Sequence, residues 1–346
     1  MNFFKKIIKT IQPDQPVALT AVTRTEQIEG FSIPGIILNM QYHFTDLQVY
    51  SDGLISCWGM VDLPMFKNKL SKSWVVTSIP DGQTISIFSL GSWVIENGAW
   101  DYDEESFYAY VKKLIKTLNP TLENLYNYNG ENYKMIGKSS VAKHSSLNSK
   151  PYYYDNPDSF LSKRNEGEKF HIFYRNDDTK TYLAELSLYK TGKIEITNLP
   201  VKKTFKFEEI KDLIQNEKLI TELNTGEKIT ILGLGSFTVK SGSGVDITAK
   251  YNEFEDKYSE LNGTENSISK CARIFDAYKL DPSFKLKQEL KEAYEKVPEH
   301  QRMFVGDMDT KDYEVRQIIY GDSIKKEWED HYGFEYPYDD MPEPEK

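Results

Sequence analysis

Ile85-Ser86-Ile87-Phe88-Ser89-Leu90-Gly91-Ser92-Trp93-Val94-Ile95 returns 144 positions later as Ile229-Thr230-Ile231-Leu232-Gly233-Leu234-Gly235-Ser236-Phe237-Thr238-Val239. The match runs back without a gap to Leu63 and Phe207, and eight of its 33 pairs are identical. Lys67 matches Lys211, Thr77 matches Thr221, Gly82 matches Gly226, and the Leu90-Gly91-Ser92 step matches Leu234-Gly235-Ser236. Most other pairs keep apolar character, as in Phe66 with Ile210, Leu70 with Ile214 and Trp93 with Phe237. Upstream, a shift of 139 aligns Leu47, Tyr50, Gly53 and Ile55 with Leu186, Tyr189, Gly192 and Ile194, so the second copy carries a five-residue insertion between the blocks. Similarity at a fixed offset marks a repeated supersecondary unit.

Working outward, each copy reads the same way. Leu47–Tyr50 and Leu54-Ile55 flank a turn at Ser51-Asp52-Gly53, and Leu186–Tyr189 and Ile194–Ile196 flank Thr191-Gly192, which is hairpin chemistry. A short helix follows, with Leu63, Phe66 and Leu70 on one face, or Phe207, Ile210 and Ile214. Strands around Trp74–Ile79 and Lys218–Leu223 lead through glycine turns to Thr84–Phe88 and Lys228–Leu232. The shared Leu-Gly-Ser marks a place where a side chain does not fit. A closing helix carries Phe107, Tyr110 and Leu114, or Tyr251, Phe254 and Tyr258. The expected class is α+β: two roughly ββαβββα modules with antiparallel sheets, then a helical C-terminal region and an extended acidic tail.

The boundaries follow from composition. Residues 1–16 form a short amphipathic start, 17–120 the first module, 121–167 a linker rich in Tyr, Asn and Ser, 168–262 the second module, and 263–346 the helical extension. In that extension Ile268, Ala272, Phe275 and Tyr278 share a helical face, and Asp281-Pro282 is expected to start a helix that Pro298 ends.

Composition bounds the function classes. The chain has 39% hydrophobic and 28% charged residues, the balance of a folded globular protein. A net charge of −10 argues against a nucleic-acid partner, whose backbone demands clustered Lys and Arg. No apolar run approaches the roughly 20 residues that cross a bilayer, so stable membrane insertion is not expected and the expected location is cytoplasmic. Phe4, Ile7, Ile8 and Ile11 with Lys5, Lys6 and Lys9 leave open a peripheral membrane contact. With only Cys57 and Cys271, both in apolar contexts, a disulfide framework or thiolate metal site is excluded.

The sequence carries few groups arranged for chemistry. The five histidines lack ligand spacing. No serine has a nucleophile-elbow context. Gly233-Leu234-Gly235-Ser236 lacks the Lys-Ser/Thr ending of a phosphate loop. Asp307, Asp309 and Asp312 place carboxylates close enough for a hard cation, with Glu314 as a base, which keeps a Mg²⁺-dependent hydrolase as the enzyme alternative. Their spacing fits neither the calcium-loop nor the phosphatase template, and a polar turn capping a helix near Tyr313 is the competing assignment. No cofactor is expected.

What stands out is aromatic surplus, 23 Tyr and 18 Phe, in polar loops suited to binding surfaces. Partner-binding candidates are Trp100 and Tyr102, and in the tail Trp328, Tyr332, Phe334, Tyr336 and Tyr338 with Asp339 and Asp340. From Asp322 to Lys346 nine carboxylates face three lysines, a lure for a partner with a basic surface. The stretch from Val297 to Gly321, Val-Pro-Glu-His-Gln-Arg-Met-Phe-Val-Gly-Asp-Met-Asp-Thr-Lys-Asp-Tyr-Glu-Val-Arg-Gln-Ile-Ile-Tyr-Gly, resembles the end of an uncharacterised group of bacterial and phage proteins. In general character the chain resembles immunity proteins and inhibitors of bacterial conflict systems. The expectation is a non-enzymatic protein that neutralises or regulates a protein partner, with oligomerisation left open.

Overall fold

The structure, a computed structural model, describes residues 30–122, 125, 133–136, 139–142, 167–176, 180–306, 311–321, 323–333 and 335. The first copy runs β1 (Gly30–Asn39), β2 (Gln41–Tyr50), β3 (Ile55–Ser56), β4 (Met60–Val61), α1 (Leu63–Ser71), β5 (Val75–Val76), β6 (Thr84–Ile87), β7 (Gly91–Trp100) and α2 (Glu104–Leu118). Within residues 121–167 lie two strands, β8 (Tyr133–Ile136) and β9 (Ser139–Ala142), paired with each other. The second copy follows as β10 (Gly167–Arg175), β11 (Thr181–Tyr189), β12 (Lys193–Thr197), β13 (Lys203–Lys206), a 3₁₀ turn at Phe207–Glu209, α3 (Ile210–Gln215), β14 (Leu219–Ile220), β15 (Lys228–Ile231), β16 (Gly235–Gly244) and α4 (Ile247–Leu261).

The two modules do not form separate sheets. They share one 14-stranded sheet, with main path β13-β12-β11-β15-β16-β7-β6-β2-β1-β5. It is mixed rather than antiparallel, because β2 pairs parallel to β6 and β11 parallel to β15. The two exceptions are equivalent: Tyr42 faces Ile85 in the first copy, and Thr181 faces Ile229 in the second. Each copy also opens with a strand, β1 or β10, that the reading from hairpin signals lacked.

The copies join through β7 and β16, an antiparallel pair obeying local two-fold symmetry. Ile95 lies opposite Val239, its own counterpart 144 positions on. Moving outward, Gly235 faces Trp100 and Gly244 faces Gly91, and each of these pairs is the other displaced by the repeat. The register slips beside Val239, where the axis passes. Around it Trp93, Ile95, Phe237 and Val239 are buried in one core that both copies build, and Trp93 meets Phe173 edge-on at 5.0 Å. The sheet curls enough for β10 to return onto β2, where His171 Nε2 lies 3.0 Å from Asp46 Oδ2.

This symmetry explains the repeated Leu-Gly-Ser. Gly91 has φ +146°, and a Cβ there would sit 2.3 Å from the Ser243 carbonyl oxygen. Gly235 has φ +143°, and its Cβ would meet the Ala99 carbonyl oxygen at 2.4 Å. Ser243 and Ala99 are themselves repeat equivalents, so one close backbone approach occurs twice.

The C-terminal region comprises α5 (Ser267–Leu280), α6 (Phe284–Lys296), a 3₁₀ turn at Glu299–Phe304, α7 (Tyr313–Tyr320) and α8 (Ser323–Tyr332). Its core joins Cys271, Phe275 and Tyr278 to Leu290, Tyr294, Val315 and Ile318. Asp281-Pro282 does not start α6: Asp281 caps the C-terminus of α5, and Ser283 is the N-cap, accepting from the Leu286 N–H. Val297, just before Pro298, closes α6 as expected. Both thiols are buried, and burial raises the Cys57 pKa and pushes that of Cys271 up to about 12.

Gly91→Ala and Gly235→Ala are each expected to lower unfolding free energy by about 2–4 kcal/mol, since the obstructing atoms are backbone. Gly226→Ala, at φ +82° in open space, bears only the left-handed penalty of about 1–2 kcal/mol. Urea denaturation of the three variants measures this, and equal losses at Gly226 and Gly235 would contradict the close approach.

Candidate functional site

Because the copies share a backbone, positions where their chemistry differs separate function from fold. One such difference lies where α1 runs into β5, the end of the sheet path in the first copy. A shallow groove of about 470 Å³ is lined there by Leu38, Asn68, Lys69, Lys72, Ser73 and Trp74. Lys69 Nζ stands 4.7 Å from the centre of the Trp74 ring. The Trp58 ring crosses Trp74 edge-on at 6.4 Å and contacts His43 at 5.0 Å. Trp58 is 51% exposed although its backbone holds φ +58°, a conformation that a bulky residue rarely adopts. The Trp74 indole N–H is buried and has no acceptor among the described residues. Among the described residues neither Lys69 nor Lys72 has a carboxylate within ion-pair distance.

The second copy closes the same site. Leu38 N–H donates to the Trp74 carbonyl, and Arg175 N–H donates to the Lys218 carbonyl, both at 2.9 Å, so Arg175 stands for Leu38 and Lys218 for Trp74. Glu217 replaces Ser73, and the Arg175 guanidinium reaches Glu217 at 3.1 Å and Glu227 at 3.0 Å. Leu213 and Asn216 take the places of Lys69 and Lys72. One copy is internally neutralised, and the other presents two lysines beside two indoles.

A second asymmetric cluster lies at the β6–β7 turn. Ser89 has φ +57° where the second copy has Gly233 at φ +82°. Lys250 on α4, almost wholly buried, donates to the Ser89 carbonyl at 2.9 Å, to Ser89 Oγ at 3.1 Å and to Glu253 Oε2 at 2.8 Å. The Phe170 and Phe254 rings flank its ammonium. Ser89 Oγ donates to Glu253 at 2.9 Å, and His300 Nε2 approaches the same carboxylate at 3.6 Å. Repeat equivalents of Lys250 and Glu253 are Ser106 and Ala109, so the cluster exists once.

Burial lowers the Lys250 pKa while Glu253 pulls it back up. Burial raises Glu253, but bonds from His300, Lys250 and Ser89 outweigh it, and the net shift is downward. The lysine's three donors are all engaged beside an ionised carboxylate, so the serine lacks a neutral amine to activate it. The geometry is that of a joint tying the first copy's hairpin, the second copy's last helix and the C-terminal region together.

The residues expected from sequence are placed as follows. Trp100 packs half-buried against the shared core, and Tyr102 stacks on Tyr110 at 5.3 Å. Trp328 is not a surface anchor: it is 5% exposed and packs edge-on against Tyr313 at 4.7 Å, with Ile324 completing the cluster. Phe334, Tyr336, Tyr338, Asp339 and Asp340, with the Tyr332 side chain, lie outside the described residues, as do Asp307, Asp309 and the segment Phe3–Ile11. Asp312 precedes α7 as its N-cap residue, and its carboxylate accepts from the Tyr294 hydroxyl at 2.5 Å. Burial, with Asp312 adding to it, raises the Tyr294 pKa. Among the described residues no group of three His, Cys, Asp or Glu is placed to hold a metal, and no helix is long and apolar enough to cross a membrane. Trp58, Trp74, Lys69 and Lys72 escaped sequence reasoning. A comparison of what the two copies do not share was the signal available.

Lys250→Ala strands Glu253 in the joint and is expected to cost about 3–5 kcal/mol, whereas the double change Lys250→Met with Glu253→Leu costs much less. A folded-state pKa below the unfolded value gives Glu253 a contribution present above about pH 4.3, lost as pH falls through its folded value. The stability difference between wild type and Glu253→Gln should therefore be flat from about pH 6 to 8 and shrink in acid. Urea titrations across pH measure it, and a difference that grows in acid would contradict the assignment.

A family model described as a domain of unknown function, DUF7638, matches residues 19–122 and 156–265, and a second, DUF7639, matches residues 266–332. The first pair of segments corresponds to the two copies and the second to the helical region, which contains the Val297–Gly321 stretch. No curated protein and no solved structure matches the chain. With both halves of the duplicated sheet covered, the chain belongs to the DUF7638 family.

Proposed function

We propose that this is a non-enzymatic protein-binding protein that neutralises or regulates its partner, with the groove of the first copy as its binding surface. The observation that carries this reading is Trp58, half exposed in a strained left-handed conformation and braced by Trp74 and His43. Strain of this kind persists only where surrounding structure enforces it, and it gathers at ligand clamps. Buried aromatic anchors supply much of the binding energy in protein interfaces, and an exposed tryptophan that a partner covers becomes one.

Further apolar surface lies close by in the chain, Met40 at 103% exposure in the β1–β2 turn and Met60 at 48% in β4. Lys69 and Lys72 favour an acidic partner, which differs from the basic partner expected from the tail alone. The joint at Glu253 fits a protein whose helical region must hold a fixed position on the sheet.

Capture experiments in the source cell should recover a partner with the wild-type chain and lose it with Trp58→Ala, a loss of roughly 2 kcal/mol or more, or about thirtyfold in affinity. Lys72→Glu should mainly slow association. Trp58 is exposed, so its removal leaves the core intact, and circular dichroism melting provides the control. A partner bound equally by wild type and Trp58→Ala would move the binding surface elsewhere.

A further inference from the structure

The helices of the two copies carry opposite charge. α1 with its C-cap residue Lys72, together with α2, holds six lysines, Lys67, Lys69, Lys72, Lys112, Lys113 and Lys116, against Glu104 and Glu105 in the first turn of α2. In the second copy the 3₁₀ turn, α3 and α4 hold seven carboxylates against three lysines. Of those lysines Lys250 is buried in the joint and Lys257 pairs with Glu260 at 2.7 Å. The two layers are otherwise built to one plan. Phe66 meets Phe107 where α1 lies on α2, and Phe207 stacks on Tyr258 where the turn before α3 lies on α4.

Each layer is electrostatically incomplete within one molecule. Lys67 and Lys112 both stand over the Tyr108 ring, at 5.6 and 5.8 Å from its centre. Lys112 and Lys116 lie four residues apart on the exposed side of α2, and Glu208 and Asp212 repeat that spacing with opposite sign, both exposed. Like charges so spaced repel each other. Among the described residues none of these five has an opposite charge within ion-pair distance. Lys67 and Lys69 are two positions apart on α1 and face different ways, so this basic surface is separate from the groove at Trp74.

We infer that the chain self-associates, the Lys67–Tyr108–Lys112–Lys116 face of one molecule docking on the Glu208–Asp212 face of a second. A second copy supplies the matching charge on a layer of the same design, and like-charged layers keep apart. A contact between two different surfaces is heterologous, so a joined pair retains one basic and one acidic layer for further copies. Exposed ion pairs gain little in water, so the contact is weak, reversible and sensitive to salt.

Sedimentation velocity of the full chain is the test. At about 0.05 M salt the sedimentation coefficient of wild type is expected to rise with protein concentration, and at about 0.5 M to stay at the monomer value. Lys112→Glu with Lys116→Glu and, separately, Glu208→Lys with Asp212→Lys are expected to remain monomeric at low salt. All four positions are exposed, so the fold is kept, and circular dichroism melting checks it. Mixed in equal amounts, the two variants should associate again, since each retains the native face that the other has lost. Both keep a negative net charge, so mixing creates no general attraction between them.

A wild type that stays monomeric at low salt would overturn the inference. So would association that salt leaves unchanged, or a mixture as monomeric as its components. Monomeric wild type that sediments with phosphatidylserine vesicles, and ceases to on Lys112→Glu with Lys116→Glu, would also overturn it by giving the face to a membrane. The proposed function is tested apart from this. Trp58 contacts Trp74 and His43 rather than either helical face, so Trp58→Ala keeps self-association whether or not it loses a captured partner.

Discussion

Everything in this architecture depends on the antiparallel pairing of β7 with β16. At its centre Ile95 and Val239 face each other as equivalents, and at both ends a glycine allows a backbone carbonyl to come closer than any Cβ permits. A surface that pairs with a copy of itself is the isologous contact of two-fold dimers. Here the two partners are covalently joined, so association costs only loop closure, which grows slowly with length. The core that results ignores the repeat boundary: Trp93, Phe173, Phe237 and Val239 belong to one cluster with Phe66 and Phe107. The sheet therefore behaves as a single unit, although its sequence is written twice.

Covalent joining also removes a restriction. In a homodimer each substitution appears at both symmetric sites, whereas in a fused pair each copy changes alone. Ser89 illustrates this. The turn demands a left-handed residue, which Gly233 supplies without penalty in one copy and Ser89 at about 1 kcal/mol in the other. Its side chain offsets the strain through Lys250 and Glu253, residues whose counterparts are Ser106 and Ala109. The same freedom lets Arg175 and Glu217 close one groove while Trp74 and Lys72 keep the other open.

Much of the fold was legible because repetition doubles every signal. The hairpins at Gly53 and Gly192, the helices around Phe66 and Ile210 and the Leu-Gly-Ser close approach all lie where the duplicated pattern indicates. β1 was not legible, since Pro34 and Gly35 interrupt its apolar run, and both normally argue against a strand interior. The structure gives Gly35 its reason: a Cβ there would lie 2.5 Å from Leu47 Cγ on the neighbouring strand. Trp328 looked like a surface anchor because its neighbours are charged, yet that single apolar face seats it on Tyr313. The joint was hidden for another reason. Ser89 and Glu253 are 164 residues apart, and no local pattern links them.

The two asymmetric sites divide the work between anchoring and exposure. The charges at the joint are out of water, with every donor of Lys250 used, so loss of one partner leaves an expensive orphan and the C-terminal region is held where Glu253 meets His300. The groove charges remain in water, where an ion pair gains little by itself. On the proposed reading, attraction there would steer an acidic partner, and the indoles would supply the holding energy as apolar area leaves solvent. A chain of net charge −10 that keeps two lysines with no carboxylate partner among the described residues beside an exposed tryptophan presents a local field opposite to its overall one. That reversal favours recognition of an acidic ligand at this place, while the remaining surface repels the same ligand.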